Sequence, residues 1–364
     1  MPMSTIRVAA LQPKRRTLSF KLSYPEALEQ VRRNLDELAG LAEAAARQGC
    51  QIAAFPEDTL GTLEWEAGNP GQLHAFLRKA ESLMLERLGA VAAQHQMPLA
   101  CCNDCAEGPD IYNTAILLGA NGREIGRYHK VQPTLGESSR KRGTSFPVFA
   151  VPGIGTVGMC ICYDILFPET TRALALAGAD LVFHLTLGGA SMGIPEADLA
   201  AFRTRASENF IYLVVAFRGG GSMVIGPKGE ILAEGGREPD AVVAADIDPA
   251  GGREAGDSLG GLTADFRARL FRERNPAAYA ILTDPHPPAL DKLRDIPVPS
   301  IEVAAALMAE GLTTGAEAFY EADRWLSEGQ TEAARQRFEE LAAHFGTAWI
   351  GRVSRERLEK LGPR

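Results

Sequence analysis

The segment that most restricts how this chain can fold is Gly158-Met159-Cys160-Ile161-Cys162-Tyr163-Asp164, followed by Phe167-Pro168-Glu169. Residues 155–161 are small, apolar and β-branched, which predicts a buried strand. Pro168 suits a first helical turn, and residues 170–177 carry a helical pattern. Cys162 therefore falls at a sharp strand-to-helix turn. Such a turn exposes one side chain and aims backbone N–H groups at whatever binds in front of it, as in a nucleophile elbow with sulfur in place of a hydroxyl. A free cysteine is more often small core filler, so Cys162 alone assigns nothing.

Two further stretches change that. Ala53-Ala54-Phe55-Pro56-Glu57 reads as a strand ending in a carboxylate, and Gly126-Arg127-Tyr128-His129-Lys130 is followed by Pro133, Thr134 and Glu137. With Phe-Pro-Glu, Tyr-x-Lys and Ile-Cys-Tyr-Asp in this order, residues 5–248 resemble the nitrilase, or carbon–nitrogen hydrolase, superfamily. The resemblance implies an α-β-β-α sandwich: two mixed sheets packed face to face with helices outside. It also implies a cysteine nucleophile at Cys162, a general base at Glu57, an oxyanion-stabilising lysine at Lys130 and an additional glutamate at Glu137. Asn113, Tyr163 and His184 are expected near substrate, Tyr163 through its backbone N–H and Asn113 by satisfying backbone groups. Asp164 and Glu169 are expected to fix the turn. Arg203, Arg205, Glu208 and Asn209 resemble the family's Arg-x-x-x-x-Asn helix and are expected to form internal salt bridges or a subunit contact.

The chemistry expected is hydrolysis of a small linear amide or N-carbamoyl compound through a thioester, with no metal or organic cofactor. Tyr163-Asp164 is similar to the amidase and carbamoylase branches, whereas nitrilases usually carry Trp-Glu there. Nitrile hydrolysis is the alternative enzymatic reading, and a scaffold acting through the C-terminal helices the non-enzymatic one. Leu166 stands where many amidase-type members carry arginine, so a charged substrate contact is missing at that position.

Composition sets limits on partners. A net charge of −8 argues against nucleic acid and against an anionic membrane surface. Arg140-Lys141-Arg142 is a short basic cluster, expected to be a solvated face. The longest apolar runs, such as residues 211–217, are too short to span a bilayer, and Met1 to Gln12 has no signal-peptide pattern, so a cytoplasmic protein is expected. Six cysteines are then expected to stay reduced. Cys101, Cys102 and Cys105 lack a second ligand cluster at zinc spacing, so strand packing is expected for them. Cys160, two positions before Cys162, would share its side if both lay on the strand.

Along the chain, strands alternate with helices at residues 24–47 and 73–94, with hairpins interspersed, which calls for mixed sheets covered by helices. Three units are expected: a hydrolase domain over 1–275, a proline-rich extended arm over 276–300, and a helical extension over 301–364. In the last, helices at 315–326, 331–345 and 347–361 resemble a tetratricopeptide-like repeat with a capping helix. One repeat cannot bury its own face, so it must pack on the main domain, a second subunit or a partner. The superfamily resemblance suggests a homodimer or larger homo-oligomer.

Overall fold

The computed structural model describes residues 5–137, 139–188, 195–218, 220–251, 254–256, 263–298, 300–346 and 348–362. Twelve strands form two six-stranded sheets. In chain order the first six are β1 (Ile6–Gln12), β2 (Ile52–Ala54), β3 (Leu99–Glu107), β4 (Asp110–Leu118), β5 (Glu124–His129) and β6 (Val148–Val151). The others are β7 (Gly155–Ile161), β8 (Leu181–Thr186), β9 (Tyr212–Phe217), β10 (Met223–Ile225), β11 (Ile231–Glu234) and β12 (Ala241–Ile247). The helices beside them are α1 (Tyr24–Arg47), α2 (Leu63–Gly68), α3 (Leu73–His95), α4 (Pro168–Leu176) and α5 (Pro195–Ser207).

The first sheet runs β12-β1-β2-β3-β4-β5 and the second β11-β10-β9-β8-β7-β6. Each has two parallel steps at its centre and antiparallel flanks: β1-β2-β3 in one, β7-β8-β9 in the other. Parallel strands need crossovers, which α1, α3, α4 and α5 supply. Alternation along each strand then sorts side chains between layers. Val8, Ala54, Cys102, Met159, Phe183 and Val214 meet in the core between the sheets. Ala9, Phe55 and Cys101 face α1 and α3 on one outside, and Val182, Leu213 and Val215 face α4 and α5 on the other. The α-β-β-α sandwich expected from the resemblance is therefore the fold. Cys101 and Cys102 point into opposite layers, as adjacent strand residues must.

Helix α1 starts cleanly because Pro25 takes its first turn and Glu26 accepts the Ser23 N–H at 2.8 Å. Its apolar stripe, including Val31, Leu35 and Leu38, lies on the first sheet. Burying a leucine of that kind contributes about 1.5–3 kcal/mol, so the stripe anchors the helix far more than its cap does.

Beyond β12 the structure adds elements the sequence pattern did not suggest: a short hairpin pairing Glu254–Gly256 with Thr263–Asp265, then α6 (Phe266–Glu273). The proline-rich segment is not simply extended. It contains a 3₁₀ turn at Pro276–Thr283 and α7 (Pro288–Leu293). Its apolar side chains stay out: Ile281, Leu282, Leu290, Leu293, Ile296 and Val298 are all exposed. Pro299 and Thr347 lie outside the described residues.

The C-terminal helices are α8 (Ile301–Glu310), α9 (Ala316–Ser327), α10 (Thr331–Phe345) and α11 (Trp349–Leu361), with a π turn at Gly311–Gly315 joining the first two. Phe319, Ala322, Ala334, Phe338, Leu341 and Phe345 form their core. This unit also touches the sandwich. Helix α8 packs on the 3₁₀ turn Leu135–Glu137, and the π turn packs on α2. Lys21 and Glu317 form an ion pair at 2.6 Å.

Candidate active site

The site forms where strands from both sheets end. Glu57 follows β2, whose pairing continues as Phe55 N–H donates to Ala100 O at 2.8 Å. Lys130 follows β5, its N–H donating to Asn113 O at 2.9 Å. Cys162 follows β7. The carboxyl ends of parallel strands leave exposed turns over a rigid sheet, which is where α/β folds commonly bind ligands.

Cys162 has φ of 45°, in the left-handed region. A non-glycine residue costs about 1–3 kcal/mol there, so the surroundings must hold it. Asp164 does much of that holding. Its carboxylate accepts the Ile161 N–H at 3.0 Å, the Gln132 N–H at 2.8 Å and the Tyr128 hydroxyl at 2.7 Å. Arg205 supports the far side of the turn, its Nε donating to Ile165 O at 3.2 Å. Arg205 also meets Glu208 at 3.3 Å, and Asn209 Nδ2 donates to Arg205 O at 2.9 Å. The helix expected to hold internal bonds does so. Glu169, by contrast, is exposed in the first turn of α4 and, among the described residues, takes no part in the turn's hydrogen bonds.

Lys130 is the centre of the polar cluster, with a side chain only 1% exposed. Its Nζ donates to Glu57 Oε1 at 3.0 Å and to both Glu137 oxygens, at 3.0 and 2.8 Å. Burial alone would lower the lysine's pKa. The charges of Glu57 and Glu137 outweigh it and hold Lys130 well above its ordinary range. Glu137 meets the opposite balance: burial raises it, but Lys130 and the bonds from Asn113 and Thr134 N–H bring it below the usual carboxylate value. Glu57 also accepts the Leu187 N–H, at 3.2 Å.

Asn113 sits between the two glutamates. Its Nδ2 donates to Glu57 Oε1 and Glu137 Oε1, each at 2.8 Å, and its Oδ1 accepts from Cys102 Sγ at 3.3 Å. It therefore satisfies side-chain carboxylates rather than the backbone groups expected. The sulfur of Cys162 lies within the field of this cluster and bonds the Thr186 side chain. Burial, then the Glu57 charge, push its thiol up to about 12, so the resting sulfur carries its proton.

Tyr163 is partly buried in the same turn, its ring 5.5 Å edge-on from Phe167. His184 is separated from the group. It lies on β8 with its ring against Phe202 and its Nδ1 3.6 Å from Cys160 Sγ, in the layer beneath α4 and α5. Burial lowers its pKa to about 3, with Lys130 adding to the effect, so it is a neutral core histidine rather than a substrate contact. Cys160 goes with it, because Cys162 has already left the strand and the two do not share a side. Of the stretch His184 to Gly189, the last residue lies outside the described residues.

Three ion pairs have no signal in the local sequence. Arg140, expected on a solvated face, is instead half-buried between Asp104 and Glu66, at 2.6 Å from each. Arg218, at the end of β9, pairs at 2.5 Å with Asp58, the neighbour of Glu57. Among the described residues no His, Cys, Asp and Glu group is arranged to hold a metal ion, and no helix is long and apolar enough to cross a membrane.

The molecule is thus a two-sheet sandwich with a cysteine at a strained turn, beside a lysine held by two glutamates. Residues 7–257 match the family described as Carbon-nitrogen hydrolase. The chain belongs to that family and is a hydrolase of carbon–nitrogen bonds other than peptide bonds. It is similar to a deaminated glutathione amidase from Synechocystis, 29% identical over 239 residues, covering 59% of this chain and 86% of the relative. A formamidase from Bacillus thuringiensis is 30% identical over 258 residues, covering 64% and 74%. Among solved structures, an amidase from Nesterenkonia sp. is 27% identical with a TM-score of 0.58, covering 75% of this chain and 97% of that one. A further structure of the Nesterenkonia enzyme, at 25% identity and TM-score 0.59 and covering 77% of this chain and 97% of that one, shows the acetamide moiety of fluoroacetamide added covalently at the active-site cysteine.

Proposed function

We propose that this protein hydrolyses a small linear amide or N-carbamoyl compound through a thioester on Cys162. The observation that carries the reading is Lys130 Nζ held between Glu57 and Glu137, with the Cys162 sulfur inside the same electrostatic cluster. Glu57 takes the thiol proton as sulfur attacks the carbonyl carbon. Negative charge then grows on the carbonyl oxygen, where Lys130 and the Tyr163 N–H stabilise it. The tetrahedral adduct collapses by breaking the C–N bond, and Glu57 returns the proton to the departing amine. Water, deprotonated by Glu57, adds to the thioester. Its collapse frees the acid, and the sulfur regains its proton. Glu137 keeps Lys130 charged and in place. The amidase names of the relatives support the substrate class.

A second copy of the chain is the proposed partner, supported by the exposed apolar side chains from Tyr279 to Val298, and the cytoplasm is the proposed compartment, supported by six unpaired cysteines. Size-exclusion chromatography with light scattering tests the first and fractionation the second.

Intact-mass spectrometry of wild type and Cys162→Ala, after brief exposure to pooled amides, carbamoyl amino acids and nitriles, tests the chemistry. An acyl adduct on wild type alone supports the reading, and its mass gives the acyl group. No adduct from any amide, with acid produced only from nitriles, would replace it by nitrile hydrolysis.

A further inference from the structure

Glu57, Lys130 and Cys162 lie just beyond the ends of β2, β5 and β7, so the sheets hold them. Glu137 does not. It closes the short 3₁₀ turn Leu135–Glu137, in the segment between β5 and β6. Few backbone bonds fix that turn: Glu137 N–H donates to Thr134 O at 3.0 Å, and Arg140 N–H donates to Glu137 O at 2.8 Å. Gly136 gives the turn no side chain to pack. Segments of this kind open at low free-energy cost. Yet Glu137 keeps both carboxylate oxygens on Lys130 Nζ, at 3.0 and 2.8 Å.

The C-terminal extension supplies what the turn lacks. Successive residues on a helix diverge by about 100°. On α8, Leu307 packs against the helical core that includes Phe338 and Phe345, while Met308 lies on the turn. A Cβ on Gly136 would fall 2.0 Å from Met308 Sδ and 3.3 Å from its Cε, so the sulfur fills the space that a side chain there would take. A thioether on a flexible stem suits a gap of that kind. The π turn that follows α8 packs on α2. Helix α2 carries Glu66, whose carboxylate meets Arg140 at 2.6 Å, and Asp104 on β3 meets the same guanidinium at 2.6 Å. The contacts close into a ring: Met308, Gly136, Glu137, Arg140, Glu66 on α2, and back through the π turn to α8. The extension thus leans on both segments that Arg140 and Glu66 tie together.

Resting on the amidase reading above, we propose that α8 of the C-terminal extension braces the Glu137 turn against Lys130, and that Met308 is the positioning residue through which it acts. Met308 works through Gly136 and Glu137, not on substrate. A shift of the turn by about 1 Å would lengthen both Glu137–Lys130 bonds, and errors of that size in a catalytic site cost up to about 10²-fold in rate. Glu57 and Cys162 would keep their places on the sheets. The loss should therefore fall on kcat, with substrate binding little changed. The extension is then a working part of the hydrolase.

The test uses full-length protein carrying Met308→Ala, Met308→Leu, Gly136→Ala, or Gly136→Ala together with Met308→Ala. Hydrogen–deuterium exchange with mass spectrometry reads the turn directly. Met308→Ala should speed exchange several-fold in peptides covering residues 131–143, with β2 and β7 unchanged. Ammonia release from formamide, acetamide, propionamide, butyramide and N-carbamoyl amino acids reads the chemistry. In Met308→Ala, kcat should fall about tenfold with KM within about twofold of wild type. Met308→Leu should keep most of the rate. Gly136→Ala alone should slow turnover, because its methyl group displaces the sulfur. The double variant should be faster than either single one, because the methyl then occupies the vacated space. Melting curves separate these effects from loss of the fold. Unchanged exchange in Met308→Ala overturns the brace. Faster exchange with an unaltered kcat overturns the positioning role of Met308, and so do single losses that merely add in free energy in the double variant. Should wild type turn over no amide, the amidase reading falls, and exchange, together with rates on whichever nitriles it converts, still decides the brace.

Discussion

The Tyr128 hydroxyl donates to the Asp164 carboxylate at 2.7 Å, and in doing so ties the end of β5 in one sheet to the turn after β7 in the other. Both groups are buried, and burial raises the pKa of each. The bond therefore couples the lysine-bearing strand to the cysteine-bearing turn. Tyr128→Phe should cost about 1–3 kcal/mol, the usual loss when a buried partner is left unsatisfied. Urea denaturation measures it. Because the strained backbone at Cys162 loses a support, kcat should fall more than KM changes. An unaltered kcat would show that Asp164 holds the turn without help from Tyr128.

Lys130 neutralises two carboxylates in an almost dry site. Lys130→Met should destabilise the fold by about 3–5 kcal/mol, because it leaves buried charge without a counterion. The pH dependence should also change sign. In the wild type the Glu137 pKa is depressed on folding, so its contribution is full above the unfolded carboxylate value and is lost as pH falls through the folded one. Without Lys130, burial raises that pKa instead, and the variant should gain stability relative to wild type as the pH is lowered. Melting temperatures across the acid range check both statements.

With its thiol pushed up to about 12, Cys162 should react slowly with iodoacetamide at neutral pH. The rate should climb about tenfold per pH unit into the alkaline range, since the thiolate is the reactive species. Glu57→Gln removes a negative charge that raises this pKa, so alkylation at a given pH should quicken even as amide turnover falls by about 10²–10⁴. Intact mass against time measures the first and ammonia release the second. A reactivity plateau below pH 9 in the wild type would mean the resting sulfur is already ionised.

Gly61 has φ of +77° and meets the Arg16 backbone. Gly61→Ala combines a left-handed backbone with a clash that no side-chain motion relieves, so a loss of about 1–3 kcal/mol from the backbone strain alone is expected. The neighbouring Glu57 loop should shift with it. A melting temperature within a degree of wild type would refute this.

His184→Asn should lower stability and leave KM for any amide within about twofold, since the ring belongs to the layer under α5 rather than to the site. Steady-state kinetics on the first substrate identified decides the matter.

Which parts of this were readable in advance follows from the range of each interaction. Cys162 can be singled out from the sequence because a strand, a turn and Pro168 are local signals. Glu57 and Lys130 can be singled out because short flanking motifs mark them, and the structure brings their side chains together. His184 was misplaced because β8 is buried on both faces, and a continuous apolar run carries no alternation from which to read a side. Cys160 is core filler, the default for a free cysteine, and the period-two rule does not carry it to Cys162 because Cys162 has turned off the strand. Arg140 was misread because its partners, Asp104 and Glu66, lie 36 and 74 positions away. Nothing in the local pattern distinguishes an ion-paired, half-buried arginine from a solvated one.

The proton on the resting Cys162 sulfur also decides how this protein meets oxidants. Peroxides attack thiolates, and the ladder from sulfenic to sulfonic acid begins there. Cys50, Cys101, Cys102, Cys105 and Cys160 are buried with pKa values raised by that burial, and in the proposed mechanism Cys162 is held neutral until a substrate engages Glu57 and Lys130. Six reduced sulfurs can therefore coexist in one chain with little standing vulnerability. The moment of greatest oxidative risk is the catalytic cycle itself, when the same event that ionises the sulfur also places an acyl group over it.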